Sequence, residues 1–237
     1  MADTATQWLT VDTADGPMRV YAARPEVPSG RTVVVLQEAF GVNEHIQDIA
    51  RRFAARGFLA LAPDLFHRTG TEELSYEEHS EALGLIKQIG PDQIVADVRA
   101  VLDGHDLART AIVGFCFGGR AAFTAAAATP GLGAAVVFYG PGIAAGPYAV
   151  LDRAGSITAP LLLHVGEEDP TIPADQVAAI DEALGDAGVD FEQHVYPGAG
   201  HAFACDARPH MFRLRAAETA WERTHAFLDR HLPPKTT

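Results

Sequence analysis

The chain has 237 residues and a mass of 25.2 kDa, enough to bury a sizeable core in one large domain. Hydrophobic residues make up 48% and charged residues 21%, which excludes intrinsic disorder as the main state. Eighteen Lys plus Arg against 31 Asp plus Glu leave a net charge of −13, a sign that argues against nucleic acid and against polybasic membrane contact.

From its start, Met1 to Trp8, the chain carries neither a basic cluster nor an apolar run, so no signal peptide is expected. Segments 7–11 and 17–21 read as an antiparallel hairpin around Asp15-Gly16. Short, wholly apolar runs follow at 32–36, 58–61, 110–113, 134–139 and 160–165, the pattern of parallel strands covered on both faces, and 191–196 alternates as a last strand. Helical spacing links Ile46, Ile49, Phe53 and Ala54 before Gly57, then Leu83, Ile86 and Ile89, then Ile94, Val98, Val101 and Leu102 after Pro91. Further helices are expected at 119–128, 174–185 and 211–231. The Gly- and Pro-rich stretch 140–155 is the longest expected loop. Strand–helix alternation of this kind predicts a single α/β domain, a mostly parallel sheet layered between helices. No apolar run approaches the ~18 residues of a membrane span. Two cysteines exclude a disulfide framework and favour a reducing, cytoplasmic setting.

Gly114-Phe115-Cys116-Phe117-Gly118-Gly119 sits between a strand and an Ala-rich helix. A tight strand-to-helix turn strains its central residue, and small residues two before and two after relieve the collision; this is the Gly-x-nucleophile-x-Gly pattern. Cys116 would project above the strand ends, at the N-terminus of a helix that favours a thiolate and a nearby oxyanion, with the Phe117 N–H as one donor. A small buried cysteine between glycines packed for close helix–strand approach is the plainer alternative.

A thiol nucleophile needs a base, and the base an orienting acid. In chain order after Cys116 come Asp169, following the 160–165 strand, and His201, following the 191–196 strand. If these strands run parallel, all three meet at one sheet edge. Glu167 and Glu168 compete for the acid's place; Asp169 is preferred because it directly precedes Pro170. The remaining histidines show no metal-ligand spacing, so no metal site and no cofactor are expected. His164, inside an apolar strand, reads as a satisfied core imidazole. Cys205, four residues after His201, is left open between a pocket wall and a structural thiol.

With these motifs in hand, the chain resembles the dienelactone hydrolases (carboxymethylenebutenolidases), a cysteine-using branch of the α/β-hydrolase fold. The resemblance runs from Leu36-Gln37-Glu38-Ala39-Phe40-Gly41-Val42-Asn43 through Ala62-Pro63-Asp64-Leu65 and the Cys116 turn to Gly200-His201-Ala202-Phe203. It implies a sheet of about seven or eight strands, the triad Cys116, Asp169 and His201, and oxyanion donors at Ala39 and Phe117. It also implies that Glu38 takes the thiol proton when substrate binds, protecting the resting thiol from oxidation. The family's well-known members meet the carboxylate of dienelactone with two arginines. Here the corresponding 70–81 stretch is acidic, and Cys205 stands at the second place, so little preference for an anionic substrate is expected. Arg208 is the nearest substitute, while Tyr139, Arg68 and Arg120 are candidates for the mouth, with surface or packing roles as the default for each.

The expected function is hydrolysis of carboxylic esters or lactones through an acyl-enzyme, with a small-molecule substrate as partner and a monomer or small homo-oligomer as the state. A thioesterase or general carboxylesterase on the same triad is the first alternative. A non-hydrolytic thiol-redox or binding protein using Cys116 and Cys205 is the second.

Overall fold

In the computed structural model, which describes residues 4–234, eight strands form one sheet. Met1–Asp3, part of the segment read for a leader, lie outside the described residues. The strands are β1 (Ala5–Thr13), β2 (Gly16–Arg24), β3 (Arg31–Leu36), β4 (Phe58–Pro63), β5 (Thr110–Phe115), β6 (Ala134–Phe138), β7 (Leu161–Gly166) and β8 (Phe191–Tyr196). Their order is β1-β2-β4-β3-β5-β6-β7-β8. The hairpin β1–β2 and the β2–β4 pairing are antiparallel; every pairing from β4 to β8 is parallel. This is the α/β-hydrolase arrangement that the sequence led us to expect.

Six helices cover the sheet: α1 (Glu44–Ala55), α2 (His79–Ile86), α3 (Pro91–Leu102), α4 (Phe117–Ala128), α5 (Ala174–Asp186) and α6 (Leu214–His231). Successive side chains of a strand point to opposite faces, so β3 divides its residues between two cores. Val34 and Leu36 pack with Val98 of α3 and Phe123 of α4 on one side. Val33 and Val35 pack with Phe53 of α1 and Phe227 of α6 on the other. Because β3 and β5–β7 are buried on both faces, their sequences carry no polar alternation.

Local signals set the helix ends. The Asn43 side chain accepts from the Ile46 N–H at 3.2 Å to start α1, a cap worth about 1 kcal/mol, and Gly57 at φ +87° closes the turn that follows the helix. One expected helical face is corrected. Leu83 is exposed, whereas Ala82 and Leu85 are the buried positions of α2, and Ile89 reaches the core from beyond the helix end. The eight-residue helix is too short for its own periodicity to set which face is buried; the adjoining turns do that. α6 begins at Leu214, because 211–212 are tied back in a turn on the Arg208 carbonyl. Within the 140–155 loop, a short 3-10 helix starts at Leu151. Among the described residues, no helix is long and apolar enough to cross a membrane.

Candidate active site

The carboxyl ends of β5, β6, β7 and β8 meet at one rim, and the candidate residues collect there. Cys116 joins β5 to α4 with φ 54° and ψ −118°, a conformation that side chains adopt only when their surroundings impose it. The flanking glycines explain how this turn fits. A Cβ on Gly114 would lie 1.8 Å from the Gly118 carbonyl oxygen, and one on Gly118 would lie 2.2 Å from the Leu36 carbonyl oxygen. The glycines therefore serve both readings at once: they permit the sharp turn, and they let α4 press against the end of β3.

Asp169 shows the same double use. Its Oδ1 accepts from the Thr171 N–H at 2.9 Å and from the Thr171 hydroxyl at 2.6 Å, closing its own turn. Its Oδ2 lies 2.7 Å from His201 Nδ1. Glu167 and Glu168 are exposed, while Asp169 is buried, so the structure separates the three candidate acids. Burial works against the Asp169 carboxylate, but His201 and the two Thr171 donors hold it below the usual carboxylate range.

Burial likewise opposes the charged imidazole. The Cys116 sulfur, acting through charge and hydrogen bonding, and Asp169 on the other nitrogen outweigh it and push His201 up to about 10. A hydrogen bond thus joins His201 to Asp169, and the Cys116 sulfur acts on the same imidazole, an arrangement that a nucleophile–base–acid relay can use. The N–H groups of Ala39 and Phe117 have no protein acceptor among the described residues. Both are free to meet an oxyanion.

Tyr139 follows β6 at φ 38°, fully buried, its ring 5.3 Å from that of His201 and its hydroxyl without a partner among the described residues. Cys116, Tyr139 and Ala202 (φ 55°) are the only non-glycine residues with positive φ among the described residues, and all three belong to this rim. The second and third of these strained positions were not anticipated.

A second buried polar cluster is drawn from distant segments; in it Glu38 is hydrogen-bonded to Cys205, and among the described residues no hydrogen bond joins Glu38 to Cys116. Glu38 is buried, with Oε1 unpartnered among the described residues, and its Oε2 accepts from the Cys205 thiol at 3.8 Å. The Tyr76 hydroxyl lies 3.6 Å from the same sulfur. Burial, then the Glu38 carboxylate, pushes the Cys205 thiol up to about 12. Cys205 is therefore a buried thiol that forms part of the wall of the Glu38 cluster. Arg208 is buried as well, its guanidinium carbon 5.1 Å from the Tyr76 ring centre, with Nε lacking a partner among the described residues. The acidic 70–81 stretch thus contributes an aromatic hydroxyl to the cluster where the sequence pointed only to missing arginines.

Two other candidates for the mouth separate. Arg68 grips Asp97 with contacts of 2.7 and 2.8 Å and Asp15 at 3.0 Å, which occupies its donors and corrects its assignment to the mouth. Arg120 is buried at the start of α4, and that burial, only partly opposed by the Cys116 sulfur, lowers its pKa from the ordinary guanidinium value. His164 is a satisfied core imidazole, hydrogen-bonded to Tyr196 at 2.8 Å and Thr224 at 2.9 Å. The absence of a metal-ligand spacing in the sequence does not carry over to space, because Glu38, His45 and Cys205 place one donor atom each within 4.8 Å of one another.

A model of the dienelactone hydrolase family matches residues 18–232. A Yersinia pestis protein named "Putative carboxymethylenebutenolidase" is 37% identical over 234 residues, covering 94% of this chain and 87% of its own. A Bradyrhizobium protein named "Probable 2-oxo-3-(5-oxofuran-2-ylidene)propanoate lactonase" is 33% identical over 246 residues, covering 98% of this chain and 97% of its own. The crystal structure of a "Putative Dienelactone Hydrolase" from Klebsiella pneumoniae subsp. pneumoniae MGH 78578 superposes with a TM-score of 0.87 at 34% identity, covering 96% of this chain and 99% of that one.

Proposed function

The chain belongs to the dienelactone hydrolase family and is a hydrolase, and from that premise we propose that it cleaves carboxylic esters or lactones through an acyl-enzyme on Cys116. The observation that carries this reading is the strained turn at Cys116, whose sulfur acts on a His201 imidazole hydrogen-bonded to Asp169.

In this reading the Cys116 thiol loses its proton as substrate binds, with Glu38 as the acceptor. The sulfur attacks the carbonyl carbon, and the Ala39 and Phe117 N–H groups hold the oxyanion. Each such donor is worth on the order of 10²–10³ in rate. When the carbon–oxygen bond breaks, His201 protonates the departing oxygen, leaving a thioester. His201, held by Asp169, then takes a proton from water. The resulting hydroxide adds to the thioester and expels the Cys116 thiolate, releasing the acid; Glu38 then returns its proton to the sulfur, and His201 keeps the one taken from water, so the resting state is restored. With a lactone, the departing oxygen stays tethered to the acyl chain throughout, and the last step releases a single hydroxy acid.

A substrate bearing its own carboxylate fits the buried Arg208, whose Nε lacks a protein acceptor among the described residues. It also fits the substrate in the name of the Bradyrhizobium relative, which joins a lactone ring to a propanoate. The test is mass spectrometry after an acid quench of the full-length protein mixed with an activated ester. An acyl adduct on Cys116, absent in Cys116→Ala together with turnover, is expected. Undiminished hydrolysis by Cys116→Ala overturns the proposal.

A further inference from the structure

The buried cluster around Glu38 and Cys205 contains more donor atoms than a hydrolase relay uses. His45, on α1, is almost wholly buried, and its Nδ1 lies 3.1 Å from Asp206 Oδ1. With Nδ1–H donating to that carboxylate, Nε2 keeps its lone pair, and it is one of the unpartnered buried atoms among the described residues. Glu38 Oε1 is another. A buried polar atom without a partner is costly. Two of them beside a thiol, contributed by residues far apart in the chain, call for a ligand that all three can bind.

We propose that Glu38, His45 and Cys205 form a buried site for a thiolate-binding divalent transition metal, with Zn²⁺ the ion that best fits one carboxylate, one imidazole and one sulfur. In tetrahedral coordination, a zinc-bound sulfur and oxygen stand about 3.6 Å apart. Cys205 Sγ and Glu38 Oε2 are 3.8 Å apart, and the three donors lie within 4.8 Å of one another, so side-chain adjustment alone closes the set.

Asp206 supplies the carboxylate that commonly orients a metal-bound histidine, and it is itself held by Arg52. The fourth position falls to Tyr76, 3.6 Å from the sulfur, or to water. An ion can enter through the cleft of about 490 Å³ whose walls include His45, Tyr76 and Asp206. Arg208 sets the selectivity. Its charge acts on Cys205 and disfavours hard ions held by charge alone, such as Mg²⁺, leaving those that bond strongly to thiolate. Binding converts the Cys205 S–H to a metal–sulfur bond and releases one proton to solvent. On the functional reading above, the ion would also occupy Glu38 and prevent it from taking the Cys116 proton, so that metal loading silences the hydrolase.

The experiment is titration of the metal-free, full-length protein with Co²⁺, followed by thiolate-to-cobalt charge-transfer absorption and the visible bands of tetrahedral cobalt. Wild type and Cys116→Ser should bind one equivalent with the sulfur band present. Cys205→Ser should lose that band, and Asp206→Asn should weaken binding by about 10- to 100-fold. No sulfur band in wild type, or a band lost in Cys116→Ser and retained in Cys205→Ser, overturns the site. Because the spectrum does not depend on turnover, a band on cobalt addition to a protein that is already inactive when metal-free refutes only the esterase reading. An active enzyme without the band refutes only the metal site.

Discussion

Replacing Gly114 by Ala tests the geometry on which the candidate site depends. The added Cβ would sit 1.8 Å from the Gly118 carbonyl oxygen and 2.3 Å from its carbon. The first distance is about 1.6 Å short of ordinary contact. Both neighbours are backbone, so no side chain can rotate away, and the start of α4 must move outward from β5. Overpacking of this kind costs about 1–3 kcal/mol, and a backbone-to-backbone clash belongs at the upper end. In a chain of this size, each kcal/mol lowers Tm by roughly 2–4 °C, giving a loss of roughly 6–12 °C. A displacement near 1 Å between sulfur and oxyanion donors also costs about 10²-fold in rate. Calorimetry and hydrolysis of an activated ester measure the two effects, with Gly155→Ala as the control because a Cβ there has nothing within 4 Å. If Gly114→Ala melts with the control and keeps its kcat/KM, the steric reasoning is refuted.

Asp169→Asn preserves shape but replaces an acceptor 2.7 Å from His201; kcat should fall by about 10⁴, and a loss below tenfold in ester hydrolysis would remove Asp169 from the relay. Arg208→Met should lower the preference for a carboxylate-bearing lactone over its neutral analogue by about tenfold or more, the worth of a charge-assisted hydrogen bond; paired kcat/KM values check this, and an unchanged ratio contradicts it. Burial, then the charge of Arg56, pushes His225 down to about 4 in the folded chain, against about 6.5 when unfolded. The unfolded chain therefore binds the extra proton, and stability falls as pH drops from about 6.5 towards 4. His225→Gln should flatten that part of a Tm–pH curve; equal slopes would show that His225 is not the group responsible.

The strands and the Cys116 turn were legible because each is written in a local pattern: an apolar run, or glycines two residues either side of Cys116. The order Cys116, Asp169, His201 became spatial proximity because β5 to β8 are parallel and present their carboxyl ends together. What stayed hidden is non-local. Nothing near Glu38 announces Cys205 or Tyr76, and His45 shows no ligand spacing because its potential partners come from other segments. Thr171 was within reach, since Asp-Pro-Thr is a turn in which the third residue can donate back to the first. The buried face of α2 misled because one residue of register, about 100° around the helix, separates Leu83 from Ala82.

The cluster of left-handed backbone at Cys116, Tyr139 and Ala202 has a bearing on how the protein ages. Each such residue lies above its relaxed energy by about 1–3 kcal/mol and keeps its shape only under pressure from its surroundings. Small losses of packing near the rim release that tension while the sheet beneath still holds. Warmed or stored samples should therefore lose working molecules before they lose folded ones, and spectroscopic intactness is no guarantee of a competent preparation.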